Sequence, residues 1–116
     1  MNSNAESQII KTSNLLFVKG QLAHNPSGNV VASNDPEKQF DYIFNYIGEI
    51  LNVIGMTFDN VVKISMFINN MDHFQKISAI RDFYFKSAKP ACTMIEIDRF
   101  NKEICIEIEV VAVKTL

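Results

Sequence analysis

The stretch from Asp35 to Gly55, DPEKQFDYIFNYIGEILNVIG, decides how the rest of the chain can fold. Asp35 offers a side-chain oxygen as an N-cap. Pro36 suits the first helical position, where its missing N–H has no partner to lose, and Glu37 puts negative charge at the positive end of the helix dipole. Phe40, Ile43, Phe44, Ile47, Ile50, Leu51 and Ile54 then recur at i, i+3, i+4, i+7 spacing, which gathers them on one stripe of an α-helix. Gly55 ends the helix, because glycine enters the left-handed stop conformation without strain. A helix with a single apolar face needs a second layer to cover it.

That layer lies on both sides of the helix in the sequence. Downstream, Val61 to Ile68 is rich in β-branched residues and alternates, with Val62, Ile64, Met66 and Ile68 assigned to one face, which predicts a strand. Phe74, Ile77, Ile80 and Tyr84 space a second, weaker amphipathic helix that ends before Pro90. Ala91 to Ile97 predicts a strand, Asp98 to Lys102 a turn, and Ile104 to Val113 a last strand on which even-numbered apolar residues oppose Cys105, Glu107, Glu109, Val111 and Val113. Upstream, Leu15 to Val18 and Val30 to Ala32 flank the turn residues Asn25-Pro26-Ser27-Gly28-Asn29, which predicts a β-hairpin with a long loop. Residues 1–13 are polar apart from Ile9 and Ile10 and are expected to be a flexible segment, neither signal peptide nor membrane span. The predicted order is ββαβαββ, one α+β domain over residues 14–116.

Composition narrows the function classes. A chain of 116 residues with 47% apolar and 21% charged residues supports one core. A formal net charge of −2 leaves no excess of positive charge to neutralise a phosphate backbone, so nucleic acid is a poor candidate partner. Cys92 and Cys105 are too far apart for a CxxC unit, and His24 and His73 have no ligand spacing to them or to each other. Both cysteines read as reduced thiols in a cytoplasmic protein, and no metal is expected.

Two helices cover only one face of such a sheet, and the other must meet water or a partner. Alternation assigns Val61, Phe67, Val111 and Val113 to that open face, beside Lys63 and Ser65. An apolar patch of this kind points to a closed oligomer, with dimer and trimer both open at this stage.

Four segments, taken in order, carry a resemblance: Val18-Lys19-Gly20-Gln21, Asp59-Asn60-Val61-Val62-Lys63 followed by Phe67, Pro90-Ala91-Cys92-Thr93, and Ile106-Glu107-Ile108-Glu109. Together they resemble the Rid family, also called YjgF-like and labelled L-PSP endoribonuclease or translation inhibitor. The resemblance implies a chorismate-mutase-like subunit, a homotrimer, and small-molecule clefts between subunits. It also implies hydrolysis of 2-imino acids and their enamine tautomers to 2-oxo acids and ammonia, with no cofactor. Ribonuclease activity, reported for some relatives, would need phosphate contacts and an acid–base pair that the sequence does not display.

The imine is already electrophilic, so the reaction needs chiefly a held carboxylate, a placed water and a proton relay. In the family an arginine after Pro-Ala grips the carboxylate through its planar fork. Cys92 stands in that place, and a thiol cannot substitute for a guanidinium. The resemblance assigns the water-positioning glutamate to Glu107. Lys19 replaces a common serine before Gly20, Ser78 replaces a helix asparagine, and the Gly-Pro-Tyr stretch near the N-terminus is missing. Cys92 is either an inert small residue or a reactive thiol near a cation such as Lys19. Glu107 either orients water or makes a structural ion pair, and Lys19 either binds a carboxylate as a point charge or is a solvated edge residue. Arg81 could reach a cleft from one face of its helix, although a helix arginine is usually solvated, and Arg99 reads as a structural residue of the last turn. The expected function is a divergent trimer that binds a small metabolite with weak or no imine hydrolysis, against an imine or enamine deaminase of altered substrate.

Overall fold

The structure, a computed structural model, describes residues 8–98 and 101–114. Seven main elements follow in the order β1 (Ile9–Thr12), β2 (Leu15–Gln21), α1 (Pro36–Ile54), β3 (Val61–Ile68), α2 (Phe74–Tyr84), β4 (Ala91–Glu96) and β5 (Ile106–Val113). The strands form one mixed sheet in the order β1-β2-β5-β3-β4, antiparallel except for the β3–β4 pair. The parallel pair is the one joined through α2, as a parallel connection requires.

Helix α1 starts and stops as its sequence dictates. The Lys38 N–H donates to Asp35 Oδ1 at 3.1 Å. Gly55, at φ 83°, closes the C-terminus in the left-handed region. The stripe from Phe40 to Leu51 packs into a core with Leu16, Val18, Ile64, Met66, Ile68, Ile106, Ile108 and Val110. Phe40, Phe44, Phe58, Tyr84 and Phe85 stack into an aromatic cluster that joins the two helices, with Phe44 at its centre.

The first hairpin differs from the expected one. Leu15–Val18 pairs with Ile9–Thr12 across the Ser13-Asn14 turn, and Val30 makes only an isolated bridge to His24. Residues 1–7 of the segment expected to be flexible lie outside the described residues, whereas Ile9–Thr12 form the edge strand. An edge strand satisfies only one row of backbone hydrogen bonds and buries little, so two isoleucines among polar residues were enough to build it.

Val61 and Val62 exchange the faces that alternation assigns them. The β3–β5 register shifts between Val61, opposite Ala112, and Lys63, opposite Val111, so Val62 is an inserted bulge residue. Val61 enters the core and Val62 faces outward. On the open face, Ile10, Phe17 and Ile95 add to Phe67, Val111 and Val113; the first three are 53%, 40% and 45% exposed.

Candidate functional site

A cavity of about 740 Å³ lies where β2 passes the end of β5 and the flank of α1, lined among others by Lys19, Gly20, Tyr42, Tyr46, Glu49 and Glu107. Its geometry begins with a second irregularity. Between Val18, opposite Val110, and Gln21, opposite Ile108, β2 has one residue more than β5. The extra residue falls at Lys19-Gly20, and a bulge of this kind re-aims side chains beside it. The Glu107 side chain lies against Gly20 so closely that a Cβ there would stand 2.8 Å from Glu107 Cδ and overlap the carboxylate. Only glycine lets that carboxylate rest on the β2 backbone.

Burial pushes the Glu107 carboxyl above its usual pKa, the neighbouring Glu109 adds to the shift, and Lys19 opposes it. The folded chain therefore holds the Glu107 proton to higher pH than the unfolded chain does, and stability falls as pH rises from the unfolded-state pKa through the folded one. Glu107→Gln is expected to be more stable than the native protein at neutral pH, with the difference vanishing in acid. Thermal unfolding at a series of pH values from about 4 to about 8 measures it. A variant less stable than native at neutral pH would show instead that favourable partners hold the charged form.

The site residues named from the sequence fall into two groups. Glu107, Lys19 and Gly20 share the large cavity. Cys92 is elsewhere. It is in register with core-facing Ile64, while Glu107 is in register with Phe67 of the open face, so the two side chains project from opposite faces of the sheet. Cys92 borders a hollow of about 190 Å³ with Arg81, Asp82, Phe85, Lys89 and Pro90. Ser78 sits one turn before Arg81 on α2, and its Oγ is buried without a hydrogen-bond partner among the described residues.

Arg81 is the residue that sequence reasoning undervalued. Its Nη1 donates to Cys92 Sγ at 3.4 Å, so it is not a solvated helix arginine. The signal available was the placement of Ser78, Arg81 and Asp82 at i, i+3, i+4 on one helix face, which a helix packed against β4 turns toward Cys92. Tyr42 and Tyr46, which lie on α1 outside the named apolar stripe, also border the cavity. Cys105 is buried, and burial, with Asp35 next, pushes its thiol above the usual pKa. Arg99 lies outside the described residues. No group of three or more His, Cys, Asp and Glu is placed to hold a metal ion among the described residues, and no helix among them is long and apolar enough to cross a membrane.

Comparison with known proteins gives consistent matches over nearly the whole chain. The sequence model of the family described as endoribonuclease L-PSP matches residues 3–114. A RutC family protein of Pyrococcus horikoshii is 32% identical over 108 residues, which cover 93% of this chain and 86% of that protein. Among solved structures, YyfA of Yersinia pestis, described as a Rid family protein of unknown function, is similar with a TM-score of 0.87 at 33% identity, covering 97% of this chain and 90% of the other. The YjgF gene product of E. coli is similar with a TM-score of 0.84 at 25% identity, covering 98% and 91%.

Proposed function

The chain belongs to the endoribonuclease L-PSP family, the group of the Rid, YjgF and RutC proteins, and from that membership we propose that it is a divergent homotrimer that binds a small metabolite in clefts between subunits, with weak or no 2-imino acid hydrolysis. The observation that carries this reading is the separation of the two half-sites. Glu107 and Lys19 border a cavity whose lining contains no arginine among the described residues, and Cys92 occupies the expected arginine position on the other face of the same sheet. A single chain thus offers a place for a ligand and a titratable carboxylate, but not the fork beside it.

Association joins one chain's half-site to its neighbour's. Support for association comes from the open face, where Ile10, Phe17, Phe67, Ile95 and Val111 form an apolar surface that a lone subunit would leave in water. The test follows ammonia release from a 2-imino acid generated in situ by an amino-acid oxidase, on protein whose mass in solution is that of a trimer. The expected rate does not exceed the uncatalysed one. Strong acceleration that is lost in Glu107→Ala would overturn the reading in favour of an active deaminase, and a monomeric mass would overturn the intersubunit cleft.

A further inference from the structure

The hollow beside Cys92 has a charge balance unlike that of the large cavity. Arg81, Lys89 and one carboxylate, Asp82, border it, with Phe85 and Pro90 as apolar wall. Those side chains leave one net positive charge, which a monoanion would neutralise. Arg81 is also unusually ordered for a helix arginine: its side chain is 22% exposed, Nε donates to Asp82 Oδ1 at 3.1 Å, and Nη2 lies 3.1 Å from the same oxygen. One edge of the guanidinium is therefore fixed before any ligand arrives, which removes much of the ordering cost of binding.

The remaining edge is poorly used. Among the described residues Nη1 reaches only the Cys92 sulfur, and a thiol is a weak acceptor. A carboxylate accepting from the same nitrogens would make shorter, charge-assisted bonds, and its planar group can engage a guanidinium edge through two parallel hydrogen bonds. A volume of about 190 Å³ suits a small organic acid. The small side chain at position 92 is what leaves room for an arginine delivered from α2, since two guanidinium groups in hydrogen-bonding range would repel.

We propose that Arg81, held on one edge by Asp82, is the guanidinium that anchors the carboxylate of a small monocarboxylate ligand, displacing Cys92 from Nη1, with Lys89 supplying the second positive charge. The proposal rests on the reading of a small-metabolite cleft and specifies its ligand as a monocarboxylate gripped from helix α2 instead of strand β4.

The experiment titrates pyruvate, and in parallel its uncharged amide, into the intact oligomer by calorimetry. Four proteins are compared: native, Arg81→Ala, Arg81→Lys, and the double variant Arg81→Ala with Cys92→Arg, each first shown by thermal unfolding to be folded. Pyruvate affinity is expected to fall by about tenfold or more in Arg81→Ala, as loss of a hydrogen bond to a charged group predicts. It should fall less in Arg81→Lys, which keeps the charge without the fork, and largely recover in the double variant, which returns a guanidinium from the strand. Amide binding should be insensitive to all three. Pyruvate affinity in Arg81→Ala within about twofold of native overturns the role of Arg81 and leaves the cleft reading standing. Failure of the native protein to bind pyruvate while it binds the amide overturns the carboxylate grip alone, and binding of neither overturns both.

Discussion

Replacing Phe44 with alanine is expected to lower the unfolding free energy by about 3–5 kcal/mol, the range for removing a large aromatic from a packed core. Phe44 is fully buried, and its ring lies 4.5 Å from Phe40, 5.0 Å from Tyr84, 5.6 Å from Phe58 and 5.7 Å from Phe85, centroid to centroid. These neighbours come from α1, α2 and the turn before β3, so the cavity left by truncation cannot be closed by moving one element. Phe58 also reaches Gly48, where a Cβ would stand 3.3 Å from its ring, which pins α1 against that turn. Urea unfolding measures the change as a shift of midpoint at unchanged slope. A loss below about 1 kcal/mol would mean that the aromatic cluster repacks around the gap.

Gln39→Met is expected to cost about 2–4 kcal/mol, although it adds an apolar side chain of similar length to a buried site. Gln39 is fully buried. Its Nε2 donates to Glu103 O at 2.8 Å and Ala32 O at 3.1 Å, and its Oε1 accepts from the Cys105 N–H at 2.8 Å. The two carbonyls keep other donors, the Asn34 and Asp35 N–H groups, so their loss is mild. The Cys105 N–H is buried with no replacement acceptor, and an orphaned buried donor carries the full desolvation penalty. Hydrogen exchange is the second readout: protection of the Cys105 amide should drop by more than the global loss of stability. Equal loss at all core amides would show that Gln39 contributes only packing.

Gln39 also shows why part of the fold was hidden in the sequence. It sits beside Phe40 in the apolar stripe but has no apolar character, so periodicity passes over it. Two of its partners, Glu103 and Cys105, are 64 and 66 residues away, and no local pattern records such a separation. The same holds at Cys105. Alternation extends the last strand back to Ile104 and places Cys105 on the open face, yet both are buried and β5 begins at Ile106, because Gln39 takes up the Cys105 N–H before the ladder starts. The bulges at Val62 and at Lys19-Gly20 are equally silent in the sequence, since an inserted residue becomes visible only against the register of its partner strand.

The candidate site was legible as a set of residues and not as an arrangement. Glu107, Lys19 and Gly20 were named from the sequence and do meet in one cavity, while Cys92 and Ser78 belong with Arg81 on the helix side. Alternation gave the relative faces within a strand except across a bulge, as at Val61-Val62. It could not give the faces across strands, because these depend on register.

Local chemistry, by itself, determined the elements that rest on caps, turns and period: α1 between Asp35 and Gly55, the alternating strands β3 and β5, the order ββαβαββ, and a family resemblance carried by short segments in order. Only the tertiary structure decided that Ile9–Thr12 and not Val30–Ala32 pairs with β2, that Val61 is inside and Val62 outside, and that a helix guanidinium lies against Cys92. The physical reason is common to all three. Caps and hydrophobic period act over a few residues along the chain. Strand partners, bulges and a side chain reaching from α2 to β4 are settled by which distant groups can satisfy each other's hydrogen bonds and volume once the sheet and helices have packed.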